Sequence, residues 1–483
     1  MRFIETTALN DTYDLVVIGS GFGSLFFIHG FLRQRPKARV LILEWGRFNS
    51  HQWQLENQVN SDIPEESVID NRSGKPWAFT IGVGGGTNCW WAQAPRLHPA
   101  DFATRSRYGV GEDWPLSYDD LVPYYTEAEK IILVAGPDDI SAVWPDTPRY
   151  PLPPHNMTTA DRILKAAMPD KHFVVPNARL SRPVDGRSPC CATARCNLCP
   201  VDAKFTAENS LDSVLSHPQV DICLSAKVER LDAEAGRVRR ALFRQGQREF
   251  AANGDLFVLG ANAIYSPYIL MRSGIGGHGV GRYLCEKMYV HVEAKLNGLK
   301  HFDGGTGTTC FNTSLLDGEH RRTRGAVALY FENRFSYGLR SEFGRWREVL
   351  PISFYVDDIP QEANGISLGD GDRPVIDHFS YTDYAHRAIK ATLEALPDIL
   401  SPLPVESIEF RDVSSTLGHI QCTTRMGLSN ADSVIDRDLV HHTLRNLVVV
   451  GTSTFPSTGS VNPSLTVAAL SLRSADRLTR SAS

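Results

Sequence analysis

Four cysteines, Cys190, Cys191, Cys196 and Cys199, lie within ten residues of the stretch SPCCATARCNLCPVDAKF, in a chain that has nine. Thiols this close can pair as disulfides, hold a zinc ion or carry an iron–sulfur cluster. A structural zinc site usually joins two short ligand loops spaced along the chain. Cys196-Asn-Leu-Cys199 is one such loop, but the other pair would be the adjacent Cys190 and Cys191, and neighbouring residues rarely converge on one tetrahedral ion. Disulfides are disfavoured wherever thiols are kept reduced. A cluster tolerates close, irregular spacings. The stretch by itself leaves all three open.

A second pattern could bind a nucleotide. YDLVVIGSGFGSLFFIHGFL reads as a buried strand, a glycine turn and an apolar helix. Gly19 and Gly21 take the first two fingerprint positions, which allow the tight turn and bring backbone against a pyrophosphate at the helix N-terminus. The third position is Ser24, with an extra Gly23, and a small residue there still permits close helix–strand packing. The next strand, ARVLILEWG, ends in Glu44, where an acidic residue would bind a ribose hydroxyl. Near the other end of the chain, NLVVVGTSTF runs into Gly451, a loop and a helix opening near Pro463. DLFVLGANAIYSPYILMRSG is a third strand–glycine–helix unit, with Gly260 after its strand; SAKVERLDAE, which contains Val228, reads as the strand before it. A nucleotide domain closed by both termini suits a large flavin, one segment holding ADP and another covering the isoalloxazine.

These elements need a sizeable scaffold, and 483 residues suggest two domains. A hydrophobic fraction of 42% is ordinary for a soluble globular protein. The net charge of −5, without a long basic run, argues against a nucleic-acid partner. The longest apolar stretches are strand-length, too short for a bilayer span. The first residues show no basic segment followed by an apolar one, which makes a cytoplasmic location the default expectation.

Taken in order, GSGFGS with Glu44, GVGGGTNCWWAQAPRL, DWPLSYDDLVPYYTEAE, VLGANAIYSPYILMRSG, GVGRYL, GHIQCTTRMG and STGSVNPSLTVAALSLR resemble the glucose–methanol–choline (GMC) oxidoreductases over most of the chain. The resemblance implies an α/β fold: a Rossmann-like FAD-binding domain (10–100, 200–295 and 418–483) interleaved with a substrate domain (101–199 and 296–417). The substrate domain, which includes the cysteine loop 188–205, would be built on a mixed β-sheet that roofs the flavin. The family's catalytic pair falls on His419 and Asn462. A neutral imidazole can take the hydroxyl proton while hydride passes to flavin N5, and an amide can hold the same oxygen in line. The remaining histidines, including His441 and His442, are expected at the surface.

The resemblance also implies flavin contacts from Gly85, Thr87, Asn88 and Cys89. Some sugar oxidases of the family bond flavin covalently through a His at the position of Cys89, so non-covalent FAD is expected here. After His419 the family usually has Gly-Thr, where this chain has Cys422-Thr423, a change expected to narrow the pocket floor. Cys-Cys-x4-Cys resembles the three-iron (3Fe-4S) cluster ligands of bacterial membrane-linked sugar dehydrogenases, which implies Cys190, Cys191 and Cys196 as ligands, with Cys199 one residue early.

The expected activity is oxidation of a sugar or glycoside hydroxyl, with electrons relayed through the cluster to a cytochrome-type acceptor. Such relatives leave the cell with a small partner subunit, so a periplasmic location would follow from co-export. An oxygen-using oxidase without a cluster and a flavin-dependent lyase are the alternatives.

Overall fold

A computed structural model describes residues 1–334, 344–377 and 379–480. Residues 335–343, within the 296–417 segment of the substrate domain expected to roof the flavin, lie outside the described residues.

The first sheet has seven strands: β1 (Tyr13–Ile18), β2 (Val40–Leu43), β5 (Val220–Cys223), β6 (Lys227–Glu234), β7 (Arg237–Gln245), β8 (Arg248–Leu259) and β16 (Leu447–Val449). β5, β2, β1, β8 and β16 run parallel, and β16 pairs with β8 at Leu447–Phe257 and Val449–Leu259. Their side chains are almost all buried, as a parallel sheet covered on both faces requires. β8 has two roles: its first half completes an antiparallel ladder with β7 and β6, and its second half lies between β1 and β16.

The second sheet orders β15 (Val405–Ser415), β9 (Met288–Leu296), β12 (Val349–Val356), β11 (Val327–Glu332), β10 (Thr308–Asn312) and β4 (His172–Val174). The expected fold class holds, with one refinement. Strand directions mix in the first sheet, whereas every ladder of the second is antiparallel. β9 also shifts the expected boundary: residues 288–295, assigned by sequence to the FAD domain, pair with β12 and β15 in the second sheet. A small third sheet joins β13 (Ser367–Leu368), β14 (Pro374–Ile376) and β3 (Asp70–Asn71).

Alternation gives the second sheet two faces. Val290, Val292, Leu329, Phe331, Ile352 and Phe354 pack in one core with Ala385, Ala388 and Leu396 of the helix Asp383–Ile399. The intervening residues include Tyr289, Tyr330, Glu332 and Tyr355, and they face away from that core.

Three strand ends meet at the start of the helix Phe22–Gln34, and they meet closely. Gly19 has φ of 83°, and a Cβ there would lie 2.8 Å from the Gly260 carbonyl oxygen. A Cβ on Gly260 would lie 2.1 Å from Ser24 Oγ and 3.0 Å from Val450, and one on Gly23 would lie 2.9 Å from the Gly451 nitrogen. Gly260→Ala is therefore expected to destabilise the protein by about 1–3 kcal/mol through overpacking, measured by denaturant unfolding. Adding Ser24→Ala, which removes the colliding hydroxyl, is expected to restore part of that loss.

Candidate active site

The ends of β1, β2, β8 and β16 open into a cavity of about 1080 Å³ that continues under the second sheet. Gly19, Gly21, Glu44, Gly85, Cys89, Val228, Gly260, Gly451, Pro463, His419 and Asn462 all line it. Ser24, Thr87 and Asn88 do not, and each supports the wall from behind. Ser24 packs on Gly260, Thr87 Oγ1 accepts from the Ala207 N–H, and the Asn88 amide donates to the Val83 carbonyl.

The cavity suits a dinucleotide. Nothing lies within 4 Å of where a side chain would begin on Gly21, Gly86 or Gly451, so each leaves bare backbone facing open space. Glu44 is fixed by the turn it serves: one carboxylate oxygen accepts from the Ser20 N–H (3.0 Å) and hydroxyl (2.6 Å), the other from the Gly46 N–H (2.9 Å). The remaining lone pairs are available to a ribose hydroxyl.

A hydrogen-bonded chain fixes the other chemical centre. The Tyr330 hydroxyl donates to Asn462 Oδ1 at 2.9 Å, and Asn462 Nδ2 lies 3.3 Å from His419 Nε2. Burial pushes the Tyr330 phenol well above its ordinary range, so it remains a donor. With Oδ1 committed to that proton, the amide presents N–H to His419, and Nε2 must carry the lone pair. Burial first, then Lys287 and Lys75, push His419 down to about 3 and keep the ring neutral.

Two buried residues, Glu286 and Lys287, hold this pair, and sequence reasoning missed both. Glu286 accepts from the main-chain N–H of His419 (2.8 Å) and the Thr416 hydroxyl (3.0 Å) and pairs with Lys75. Lys287 Nζ donates to the carbonyls of Thr458, Gly459 and Val461, the loop that ends at Asn462. Asp101 grips the same loop through Ser460 and pairs with Arg321 at 2.9 Å. The only sequence signal was an adjacent Glu-Lys beside the apolar run MYVHV.

Tyr289, Tyr355, Glu332 and Arg334 supply a polar roof over the cavity. Glu332 pairs with Arg334 and accepts from Ser353, and Arg334 donates to the Tyr289 hydroxyl at 3.3 Å. The surface expectation for the other histidines holds for His278 and His386, which are exposed, but fails for His155, His172, His291, His301 and His441, which are buried. His441 Nδ1 accepts from the Leu444 N–H, which satisfies a turn.

Cys422 does not line the cavity floor as expected; it is buried behind it. Its φ of 74° is left-handed, a conformation that glycine adopts without cost and a side chain does not.

The cysteine loop borders this cavity through Asn197 and Leu198. Cys196 is buried and accepts from Arg179 Nη1 at 3.0 Å; Cys190 contacts the Thr306 hydroxyl, and Cys199 is buried. Cys191 is exposed beside Thr193. Among the described residues, no three of these sulfurs lie within 4.8 Å of one another, as three ligands of a single ion would. Ligands of a multi-iron cluster sit on different irons and need no such convergence. No helix among the described residues is long and apolar enough to cross a membrane.

Residues 71–289 and 380–471 match the two sequence families described as GMC oxidoreductase. The chain belongs to the GMC oxidoreductase family. The fructose dehydrogenase large subunit of Gluconobacter japonicus is 28% identical, over 96% of this chain and 97% of the relative. The 6'''-hydroxyparomomycin C oxidase of Streptomyces lividus is 27% identical, over 97% and 92%. The crystal structure of pyridoxine 4-oxidase from Mesorbium loti shares the fold, with a TM-score of 0.68 at 19% identity, covering 96% of this chain and 99% of that one. As a GMC oxidoreductase the protein is an FAD-dependent oxidoreductase acting on CH–OH donors.

Tyr330→Phe is expected to release the Asn462 amide from its fixed orientation. Loss of this one hydrogen bond should lower kcat about tenfold with flavin content unchanged, measured by steady-state kinetics and flavin absorbance.

Proposed function

We propose that the protein is a dehydrogenase that oxidises a hydroxyl of a sugar or glycoside to a carbonyl. The Tyr330–Asn462–His419 chain carries this reading, because it turns an unprotonated ring nitrogen into the cavity beside an oriented amide. Bound FAD would supply the hydride acceptor. When the substrate hydroxyl displaces the Asn462 N–H from the Nε2 lone pair, His419 Nε2 takes the hydroxyl proton and Asn462 Nδ2 holds the same oxygen in line. Tyr289, Tyr355 and the Glu332–Arg334 pair favour a polyhydroxylated substrate, since they offer several donors and acceptors over the cavity. The two relatives named for fructose and for 6'''-hydroxyparomomycin C point the same way.

His419→Ala is expected to lower turnover by about two to four powers of ten with flavin retained, as for loss of a positioned base. Asn462→Ala should cost less, because it orients the oxygen without taking its proton. Since burial keeps His419 unprotonated, the acid limb of kcat/KM in the wild type should lie below 6.5, the ordinary histidine value, and toward about 3. An acid limb near 6.5, or wild-type turnover in His419→Ala, would remove His419 from the role of base.

FAD would be held without a covalent bond, because Cys89 of the cavity wall stands where some sugar oxidases of the family have the linking His. Acid precipitation should leave the yellow chromophore in the supernatant; colour in the pellet would refute this.

The cysteine loop would hold a three-iron cluster, which would supply one-electron transfer to an external acceptor such as a cytochrome. Its residues fit such a group: Cys196 is buried, an Arg179 N–H beside it has no partner among the described residues, and the loop borders the flavin cavity. The first of those relatives is itself named as the large subunit of an assembly, which supports a small partner subunit here and, with it, co-export to the periplasm. Cys190 and Cys196 are two of the ligands. The third is Cys191, as the family spacing implies, or Cys199, which the fold buries. Iron quantitation after anaerobic purification should show iron lost in Cys190→Ser and Cys196→Ser, and in whichever of Cys191→Ser and Cys199→Ser removes the third ligand. Wild-type protein free of iron but fully active with oxygen would make it an oxidase.

A further inference from the structure

The walls around the cysteine loop hold two cations that the flavin chemistry does not use. Arg179 is 1% exposed and Lys204 is 2% exposed, and neither forms an ion pair with a carboxylate among the described residues. Arg179 Nε donates to Asn177 Oδ1 at 3.2 Å and Nη1 to Cys196 Sγ at 3.0 Å, while Nη2 has no partner. Lys204 Nζ donates only to the main-chain carbonyls of Asn88 and Trp90. Cys196 and Cys199 lie within electrostatic range of both cations; Cys190 adds to them around Arg179, and Cys89 and the Asp202 carboxylate around Lys204.

A buried cation without an anion is costly, and folds rarely keep one without a counter-charge. Elsewhere buried guanidiniums pair with carboxylates, as in Arg96–Glu129 and Arg321–Asp101, and Lys75 pairs with Glu286; Lys287, like Lys204, is held by main-chain carbonyls. Here the candidate counter-charge is sulfur. An iron–sulfur cluster held by thiolates is a net anion, and its potential depends on nearby charge, on hydrogen bonds to its sulfurs and on burial.

We infer that Arg179 and Lys204 form the cationic seat of the thiolate-bound cluster, and that Arg179, through its hydrogen bond to Cys196, raises the cluster's reduction potential. The inference rests on the cluster reading above. The physical reason is that adding an electron makes the group more negative, and a fixed cation beside it favours that state. Arg179 thereby acts through the ligand Cys196 and touches neither substrate nor flavin.

The test is a potentiometric titration of the anaerobically purified protein, followed by electron paramagnetic resonance, on wild type, Arg179→Lys and Arg179→Met. Arg179→Met should show a lower cluster potential and lose iron to a chelator about tenfold faster, as is typical when an outer partner of a metal ligand is removed. Arg179→Lys, which keeps charge but not the forked donor, should fall between the two. The flavin potential should not move. An iron-loaded Arg179→Met with wild-type cluster potential and wild-type chelator resistance overturns the role of Arg179 and leaves the cluster standing. Wild-type protein without iron overturns the cluster reading and this inference with it. Should Arg179→Met fail to fold, Lys204→Met removes the other cation and carries the same expectation of lower potential and faster iron loss.

Discussion

The structure depends on one strand with two obligations. β8 must pair with β1 on one edge and β16 on the other while its first half stays in the ladder with β7. That pairing ties the first and last segments of the chain into one sheet, and it ends three strands at the same level against one helix. The contact between Gly260 and Ser24 shows how little space remains where they meet. Because no side chain grows from Gly19, Gly260 or Gly451, the strand ends open into a cavity lined by backbone. His419 and Asn462 face that cavity, and the cysteine loop borders it.

Buried charge does the rest of the positioning. Glu286, Lys287 and Asp101 are each fully buried, and each holds backbone or hydroxyl groups of the two loops that carry His419 and Asn462. Buried ionic groups are weak contributors to net stability but good at selecting one arrangement, because any other would leave a charge unpaired. A base and an amide that must hold one orientation are well served by such anchors. The same logic distinguishes the cysteine loop, where the buried cations face sulfur.

Antiparallel pairing gives the roof its two faces. Register places Tyr330 opposite Ser353 and Tyr355 opposite Tyr289, while Phe331 and Ile352 fall on the helix side. A one-residue slip would turn the polar roof into the core. The aliphatic core against the helix Asp383–Ile399 therefore also fixes which polar groups meet a substrate.

The glycine turns, the strand–glycine–helix units and Glu44 were legible in the sequence because each is local: a tight turn, a close approach or a charge at a strand end leaves its mark within a few residues. His419 and Asn462 were legible only through their family resemblance, since nothing in their immediate neighbours demands a base or an amide. The tertiary structure decided what depends on residues far apart in sequence. Tyr330 orients Asn462 across 132 positions, and Lys287 reaches the loop before it across more than 170. Whether a histidine is exposed was likewise settled by packing, as His441 shows. Cys422 combines the two: its identity is plain in the sequence, but the left-handed backbone that makes glycine the better fit exists only once the chain has folded. The sequence set the local geometry of the cofactor site, and the fold alone could bring together an imidazole, an amide, a phenol and the buried charges that hold them, because those contacts follow from sheet register and core packing.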